Sequence, residues 1–182
     1  MRLTILLDTN VLIPLEPTVV ALLSVKPHYA NAILNGKKKV EFRKRKFGRA
    51  VSHVVIYATA PIMRIVGWFK VGLLHELSPE NLWRKFSTVG GISRDDFRAY
   101  YSGVSSGVAI DVTAAQPLRK PLALTRISSS PPPQSYSYLP ASVLALIKRS
   151  DTRQPAKRLL AKRKTSKRRL QKTLRRKPKS RS

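Results

Sequence analysis

The feature that most restricts what this chain can fold into is the uneven distribution of its charge. Of 182 residues, 36 are Lys or Arg and 9 are Asp or Glu, which gives a net charge of +27. Residues 148–182 hold 17 of the basic residues and 1 of the acidic ones, and their large aliphatic side chains are four leucines. Ordering one residue costs about 1–2 kcal/mol of backbone entropy, which so few apolar side chains cannot offset. We therefore expect residues 148–182 to form a disordered basic tail, with the folded core before it.

Composition also narrows the class of protein. The chain has no cysteine, which excludes a disulfide framework, zinc fingers and thiol catalysis. A strong positive charge attracts polyanions, chiefly nucleic acid. The apolar start of the chain is interrupted by Asp8 and Asn10, so we expect no signal peptide, no membrane partner and a cytoplasmic protein. No histidine has a second ligand at metal-binding spacing, and we expect no metal and no cofactor.

The patterns before the tail predict strands that alternate with short helices. Helices are predicted at 27–35, from Ser78-Pro79-Glu80 onward, and after Ser93, because each begins with Pro or an N-cap residue. Strands are predicted at 39–43, 53–60, 62–74 and 108–112, with bends at Gly67 and Gly72. Since the spacing is not that of regular βαβ units, the sequence predicts an α+β fold built on a small mixed sheet or barrel.

One short segment concentrates basic side chains. Between Lys37 and Arg49 there are eight basic residues and one acid, Glu41. On a strand and its following loop, such side chains contact successive phosphates, and Arg can hold a phosphate through two hydrogen bonds. The alternative is a solvated sheet edge that lysines protect from aggregation.

Several stretches of the sequence are similar to segments of one known domain family. Residues 21–30 (ALLSVKPHYA) and 33–43 (ILNGKKKVEFR) resemble the opening of an ASCH domain. Later stretches resemble the same family in the same order: 57–61 (YATAP), 65–67 (IVG), 78–80 (SPE), 91–93 (GIS) and 132–136 (PPQSY). The resemblance implies a domain at 19–147 with a PUA-like β-barrel and a helix-edged cleft. It also implies RNA binding, with ribonucleases and modified-cytidine amidohydrolases among the members of the superfamily.

The resemblance places Lys38 and the first helix on one side of the cleft and a closing motif on the other. Tyr29 either stacks on an unpaired base or is a core ring with a solvated hydroxyl. Glu41 either accepts hydrogen bonds from a base edge, works with Lys38 as an acid/base pair, or forms an ion pair of little energetic consequence. The RNA-binding candidates are Lys26, Tyr29, Lys37, Lys38, Lys39, Glu41, Arg43, Lys44, Arg45, Lys46, Arg49, Gln134 and Ser135.

Three functions remain open from the sequence: RNA binding, catalysis, and a protein-interaction role in transcription regulation. In the amidohydrolase branch, the lysine is followed three positions later by threonine, and a glutamate comes further on. Lys38 matches that lysine, but Glu41 stands in place of the threonine and the later glutamate falls near Gly90. These departures argue against amidohydrolysis. A metal-independent ribonuclease would use Lys38, Tyr29 and Ser135 as acid/base groups.

The beginning of the chain differs from the rest. Residues 6–14 (LLDTNVLIP) resemble the first strand and turn of a PIN nuclease domain, in which Asp8 would be a metal-binding carboxylate. The further acidic residues of that fold are missing before the ASCH pattern begins. We interpret residues 1–18 as a PIN-like remnant that adds a strand segment to the sheet, and we assign no nuclease activity to it.

Overall fold

The computed structural model describes residues 19–152, which form six strands, four helices and one 3₁₀ turn. A first compact unit ends at Leu144 and a second begins at Ala145. In chain order the elements are β1 (Val19–Val25), α1 (Pro27–Leu34), β2 (Val40–Arg43), β3 (Val51–Ala58), β4 (Arg64–Leu77), α2 (Pro79–Phe86), α3 (Arg94–Tyr101), β5 (Gly107–Leu122), the 3₁₀ turn (Leu124–Arg126), β6 (Tyr136–Leu139) and α4 (Ser142–Thr152).

The helices begin where the sequence predicts. Pro27 occupies the first turn of α1, and Gly36, with φ of +76°, follows its end. The hydroxyls of Ser78 and Ser93 accept hydrogen bonds from the backbone amides of Asn81 and Asp96 and so cap α2 and α3. The α+β class is confirmed.

The strands form one mixed sheet in the order β2-β5-β4-β3-β1-β6. β1 and β3 are parallel, and the other neighbours are antiparallel. The register of β4 against β5 shifts between Ile65 and Gly67 and again between Val71 and Leu74. Gly67 and Gly72 were expected to bend this strand. Gly67 lies at the edge of the first register shift, and Gly72 lies within the second.

The prediction of a closed β-barrel is wrong, because the sheet is open between β2 and β6. Each of these four-residue strands pairs through its backbone with a single neighbour, β5 or β1. On this open side, the segment that lies against β6 is the loop after β2 and not a further strand. Tyrosine side chains of β6 make the hydrogen bonds to this loop. The hydroxyl of Tyr136 donates to the carbonyl oxygen of Lys46 at 3.2 Å, and the amide of Gly48 donates to the hydroxyl of Tyr138 at 2.7 Å.

Two apolar clusters in the described residues bear on the site, and the second of them contains the β2 residues Val40 and Phe42. One packs α1 against the sheet and includes Ile33, Ile56 and Phe69; the other joins α2 and α3 to β2 and β5 and includes Phe42 and Phe97. All four residues of β2 are buried. Glu41 and Arg43 are therefore enclosed, whereas all lysines of the basic segment except Lys38 are exposed, and both interpretations of that segment stay predictions.

Some sequence-based expectations fall on residues outside this description. The PIN-like segment 1–18 and residues 153–182 of the basic tail lie outside it. Residues 148–152, which the sequence analysis assigned to the tail, are part of α4. No helix in the described range is both long and apolar enough to cross a membrane.

Candidate functional site

A cavity of about 510 Å³ lies among the end of β1, the start of α1, β2 and α3. Because α1 begins immediately after β1, Lys26 and Tyr29 reach its wall. The turn at Gly36 then brings the chain back into β2. The lining residues are Ser24, Val25, Lys26, Tyr29, Lys38, Glu41, Phe42, Arg43, Thr59, Ile92, Asp96, Ala99, Tyr100 and Gln134.

Three charged side chains are buried together at this wall. The Nζ of Lys38 lies 3.7 Å from Oε2 of Glu41, and Nη2 of Arg43 lies 3.3 Å from Oε1 of the same carboxylate. Their side chains are 3%, 9% and 10% exposed for Lys38, Glu41 and Arg43. The removal of each charge from water costs several kcal/mol, and the shared carboxylate offsets part of that cost for both cations. The group keeps a net charge of +1.

Backbone contacts hold Lys38 at this position. Its amide donates to the carbonyl oxygen of Ala32 at 2.9 Å, and the next amide, that of Lys39, donates to Val89 at 2.8 Å. The Lys38 ammonium donates to the carbonyl oxygen of Gly90. The ammonium is also 5.3 Å from the ring centre of Tyr29 and 4.9 Å from that of Phe42. Lys38 is thus enclosed by aromatic faces and one carboxylate.

Burial perturbs the titration of this lysine. It lowers the pKa of Lys38 below the ordinary value of 10.5, and the Arg43 guanidinium lowers the pKa further, while Glu41 acts in the opposite direction. A lowered pKa increases the fraction of neutral amine near neutral pH, which is the form that accepts a proton. The direction of this shift favours the neutral amine, which is the form that a general base requires.

Two tyrosines complete the wall. Burial raises the pKa of Tyr29 and the pKa of Tyr100, so both hydroxyls stay protonated at neutral pH and can donate hydrogen bonds. Tyr29 packs against the core cluster and also faces the cavity, and stacking of its ring on a base stays a prediction.

Arg43 joins the site to the rest of the fold. Its Nη2 donates to the carbonyl oxygen of Ser24 at 3.1 Å, and its own carbonyl oxygen accepts from the hydroxyl of Tyr101 at 3.1 Å. Within residues 19–152, Nε of Arg43 is buried without a hydrogen-bond partner. One donor of this guanidinium is therefore left without an acceptor from the described part of the chain.

The structure brings some of the predicted residues together and leaves others apart. The predicted residues at the wall are Lys26, Tyr29, Lys38, Glu41, Arg43 and Gln134. Ser135 does not line the cavity, although its carbonyl oxygen accepts from the amide of Ser24 at 3.2 Å. The exposed basic candidates outside the wall are Lys37, Lys39, Lys44, Arg45, Lys46 and Arg49.

Sequence reasoning missed the contribution of α3. Asp96 and Tyr100 line the cavity, together with Thr59, which follows β3. Asp96 was not among the candidate residues, because a carboxylate in the first turn of a helix is already explained by its favourable interaction with the helix dipole. The spacing of Asp96 and Tyr100 puts them on one helix face, which is a signal that could have been used.

The surroundings of Gly90 bear on amidohydrolase chemistry. A Cβ atom at Gly90 would lie 2.6 Å from the ring of Phe42 and 2.9 Å from the carbonyl oxygen of Phe86. Gly90 itself therefore has no room for a glutamate side chain. Elsewhere in the described range, no three His, Cys, Asp or Glu residues are grouped so that they could hold a metal ion.

Comparisons with known proteins place this α+β chain in a family. No family model matches it. An ASCH domain-containing ribonuclease of Zymomonas mobilis is 32% identical over 124 residues, which cover 65% of this chain and 83% of that protein. The crystal structure of an ASCH protein from the same organism is 30% identical, covers 71% of this chain and 94% of its own, and superposes with a TM-score of 0.65.

A second relative is a large ribosomal subunit protein, uL22, of Ureaplasma parvum. It is 28% identical over 125 residues, which cover 68% of this chain and 40% of that protein. This chain therefore spans less than half of the ribosomal relative. The fold and the buried ionic site define a small α+β protein whose cavity is lined by charged, aromatic and aliphatic side chains. The chain belongs to the ASCH domain family. None of these matches supports the PIN-like interpretation of residues 1–18.

Proposed function

We propose that this protein binds single-stranded RNA and holds one unstacked nucleotide in the cavity beside Lys38, Glu41 and Arg43. A cavity of about 510 Å³ is in the size range of small-ligand sites, roughly 300–1,000 Å³. Recognition of RNA usually uses unpaired bases that are splayed out and stacked on aromatic rings. The similarity to a protein named as an ASCH ribonuclease supports RNA as the ligand.

The observation that carries the proposal is the burial of two cations around one carboxylate. Apolar residues of similar volume would stabilise a core at least as well as such an ionic group, so stability alone does not account for it. A net positive wall favours an anionic ligand, and Arg43 has a buried Nε without a partner among residues 19–152. Glu41 supplies the acceptor that a base N–H requires.

The aromatic residues give the cavity a surface for a base. Tyr29 and Tyr100 both line it. Stacking of a base on an aromatic side chain contributes about 1–3 kcal/mol and tolerates any base. Base identity would then depend on Glu41 and the two cations.

The experiment that tests this proposal compares two neighbouring lysines. Lys38 is buried in the cavity wall, whereas Lys39 is exposed and does not line it. Lys38→Ala and Lys39→Ala each remove one positive charge, so long-range electrostatics change equally. We expect fluorescence anisotropy with labelled single-stranded RNA to show at least tenfold weaker binding for Lys38→Ala, about 1.4 kcal/mol, and little change for Lys39→Ala. Equal effects, with both variants folded by circular dichroism, would contradict the cavity as the binding site.

The lowered pKa of Lys38 favours a second candidate, metal-independent RNA cleavage. In that reaction the neutral Lys38 amine takes the proton of the ribose 2′-hydroxyl, and the 2′-oxygen attacks the adjacent phosphorus. The bond from phosphorus to the 5′-oxygen breaks, and that oxygen takes a proton from the hydroxyl of Tyr29. The products are a 2′,3′-cyclic phosphate and a 5′-hydroxyl end.

A single incubation experiment distinguishes RNA cleavage from RNA binding. Purified protein is mixed with single-stranded RNA in excess chelator, and the ends of the products are identified. Cyclic phosphate ends that disappear in Lys38→Ala would support catalysis. Intact RNA with the wild-type protein, under conditions where binding is measured, would restrict the function to binding.

A further inference from the structure

The loop of residues 44–50, which we call the bridging loop, lies on the open side of the sheet between β2 and β6. We propose that an RNA strand leaving the cavity runs over the bridging loop, and that Tyr136 and Tyr138 are positioning residues that hold its cations in place. This inference rests on the proposed function and narrows its ligand. The ligand becomes a single strand that continues for several nucleotides past the cavity, rather than a free nucleotide or a duplex.

The bridging loop is held at three points along its length. The amide of Gly48 donates to the hydroxyl of Tyr138 at 2.7 Å, and the hydroxyl of Tyr136 donates to the carbonyl oxygen of Lys46 at 3.2 Å. Between them, Phe47 is buried and meets the ring of Tyr136 edge-on, with 5.1 Å between the ring centres. Because the backbone is fixed, less conformational entropy is lost when its side chains bind phosphates.

The cations of the bridging loop begin at the cavity and continue away from it. The Nζ of Lys44 lies 5.6 Å from the ring centre of Tyr100, which lines the cavity. At the other end, the guanidinium of Arg49 lies 5.1 Å from the ring centre of Tyr138. Lys44 and Arg49 are thus each held against a ring. They mark the two ends of the proposed path.

The charge of the loop fits a chain of phosphates. Residues 44–50 contain four basic residues and no acidic one. Lys46 is paired with Glu76 at 2.8 Å, while Lys44, Arg45 and Arg49 have exposed side chains not engaged in that ion pair. Cations interleaved with aromatic rings are the usual surface for single-stranded nucleic acid, because phosphates meet the charges and bases stack on the rings.

The test uses the full chain, two ligands and three variants. The ligands are uridine 5′-monophosphate, which can fill only the cavity, and an oligouridylate of about ten nucleotides, within the range bound by single-strand sites. Arg49→Ala removes the far cation, and Tyr138→Phe keeps the ring but removes the hydroxyl that fixes Gly48. Arg84→Ala is the matched control, since Arg84 is exposed on α2 and bonded to Asn81.

We expect Arg49→Ala to weaken binding of the oligouridylate several-fold and to lower the slope of log affinity against log salt by about 0.7, the value for one lost phosphate contact. Affinity for the mononucleotide should stay unchanged. Tyr138→Phe should reduce the gain in affinity from mononucleotide to oligonucleotide, with the thermal midpoint followed to account for any loss of stability. Arg84→Ala should match the wild type for both ligands.

Identical behaviour of Arg49→Ala and Arg84→Ala with the oligouridylate would overturn the path over the bridging loop. The cavity proposal would then still stand on the comparison of Lys38 with Lys39. If the wild-type protein binds neither ligand at low salt, both proposals fail together. If the mononucleotide loses as much affinity as the oligonucleotide in Arg49→Ala, Arg49 belongs to the cavity and the path is wrong.

Discussion

The guanidinium of Arg43 donates a hydrogen bond of 3.1 Å to the carbonyl oxygen of Ser24, across the open side of the sheet. Arg43 ends β2 and Ser24 lies near the end of β1, two strands that are not neighbours in the sheet. The same Nη2 lies 3.3 Å from the carboxylate of Glu41. One side chain therefore joins the two sides of the cavity and also takes part in its charge arrangement.

The first prediction concerns this geometry. Arg43→Lys keeps the charge but replaces the planar guanidinium, so one ammonium cannot reproduce both contacts. We expect the free energy of unfolding to fall by about 1.5–3 kcal/mol, the range for a hydrogen bond to a charged group. Urea denaturation measures this, with Arg45→Lys at an exposed position as the control. Equal unfolding free energies for the two variants would show that the contact with Ser24 contributes nothing.

The second prediction compares a buried carboxylate with an exposed one. Glu41→Gln leaves Lys38 and Arg43 as buried cations without their counter-charge, which should lower the free energy of unfolding by about 3–5 kcal/mol. The exposed pair of Glu76 with Lys46 is the control, and Glu76→Gln should cost at most about 1 kcal/mol. Urea denaturation of both variants gives the comparison. A small loss for Glu41→Gln would mean that solvent or rearrangement already screens the site.

The third prediction is a pH dependence of stability. Because the pKa of Lys38 is lower in the folded state than the ordinary 10.5, the unfolded chain binds more protons between those two values. Stability contributed by Lys38 therefore rises with pH across that window. We expect the unfolding free energy of the wild type minus that of Lys38→Met to increase from neutral pH toward about pH 10. A difference that stays constant with pH would mean that the fold does not shift this lysine.

The comparison with Lys38→Met also removes the contribution of buried tyrosines to the pH dependence of stability. Burial raises the pKa of the three tyrosines Tyr29, Tyr100 and Tyr101, which has the opposite sign and lowers stability above about pH 10. Most of this contribution is present in both proteins and cancels in the difference. Denaturant titrations at several pH values below that limit are therefore sufficient.

The fourth prediction concerns residues 153–182, which the structure does not describe. Their charge can release counterions from phosphates without regard to base identity. We expect a chain that ends at residue 152 to bind every single-stranded RNA more weakly by a similar factor and with a smaller salt slope. Anisotropy titrations against RNAs of different composition measure both. An altered order of preference among those RNAs would show that the segment takes part in base selection.

Local signals predicted much of the fold. Pro27, Ser78 and Ser93 mark helix starts through backbone geometry and capping, which depend on a few neighbouring residues. The predicted strands correspond to β2, β3, β4 and the first part of β5. The continuation of β5 to Leu122 and the pairing of β6 with β1 depend on partners distant in the chain, which period and propensity do not encode.

The candidate site was predicted only in part, because contacts between distant parts of the chain bring some of its residues together. Lys38 and Glu41 are three positions apart, and the resemblance to a known family identified both. The burial of Arg43 could not be predicted, because alternation in β2 indicates two faces without saying what covers the second. In the fold, α3 approaches Arg43 through Tyr100 and Tyr101. Ser135 does not line the cavity, and its contact with Ser24 is made by the backbone, so a role for its hydroxyl stays a prediction.

The measurement that tests the central claim most directly is an NMR titration of the full chain with a short oligouridylate. The Nε–H group of Arg43 is buried and has no partner in the described part of the protein, so a nucleotide in the cavity should change its resonance strongly. We predict saturable shifts of this resonance and of the ring signals of Tyr29 and Tyr100, with the same affinity as anisotropy gives. If the RNA binds by anisotropy while these three signals stay unchanged, the cavity is not where the RNA is held.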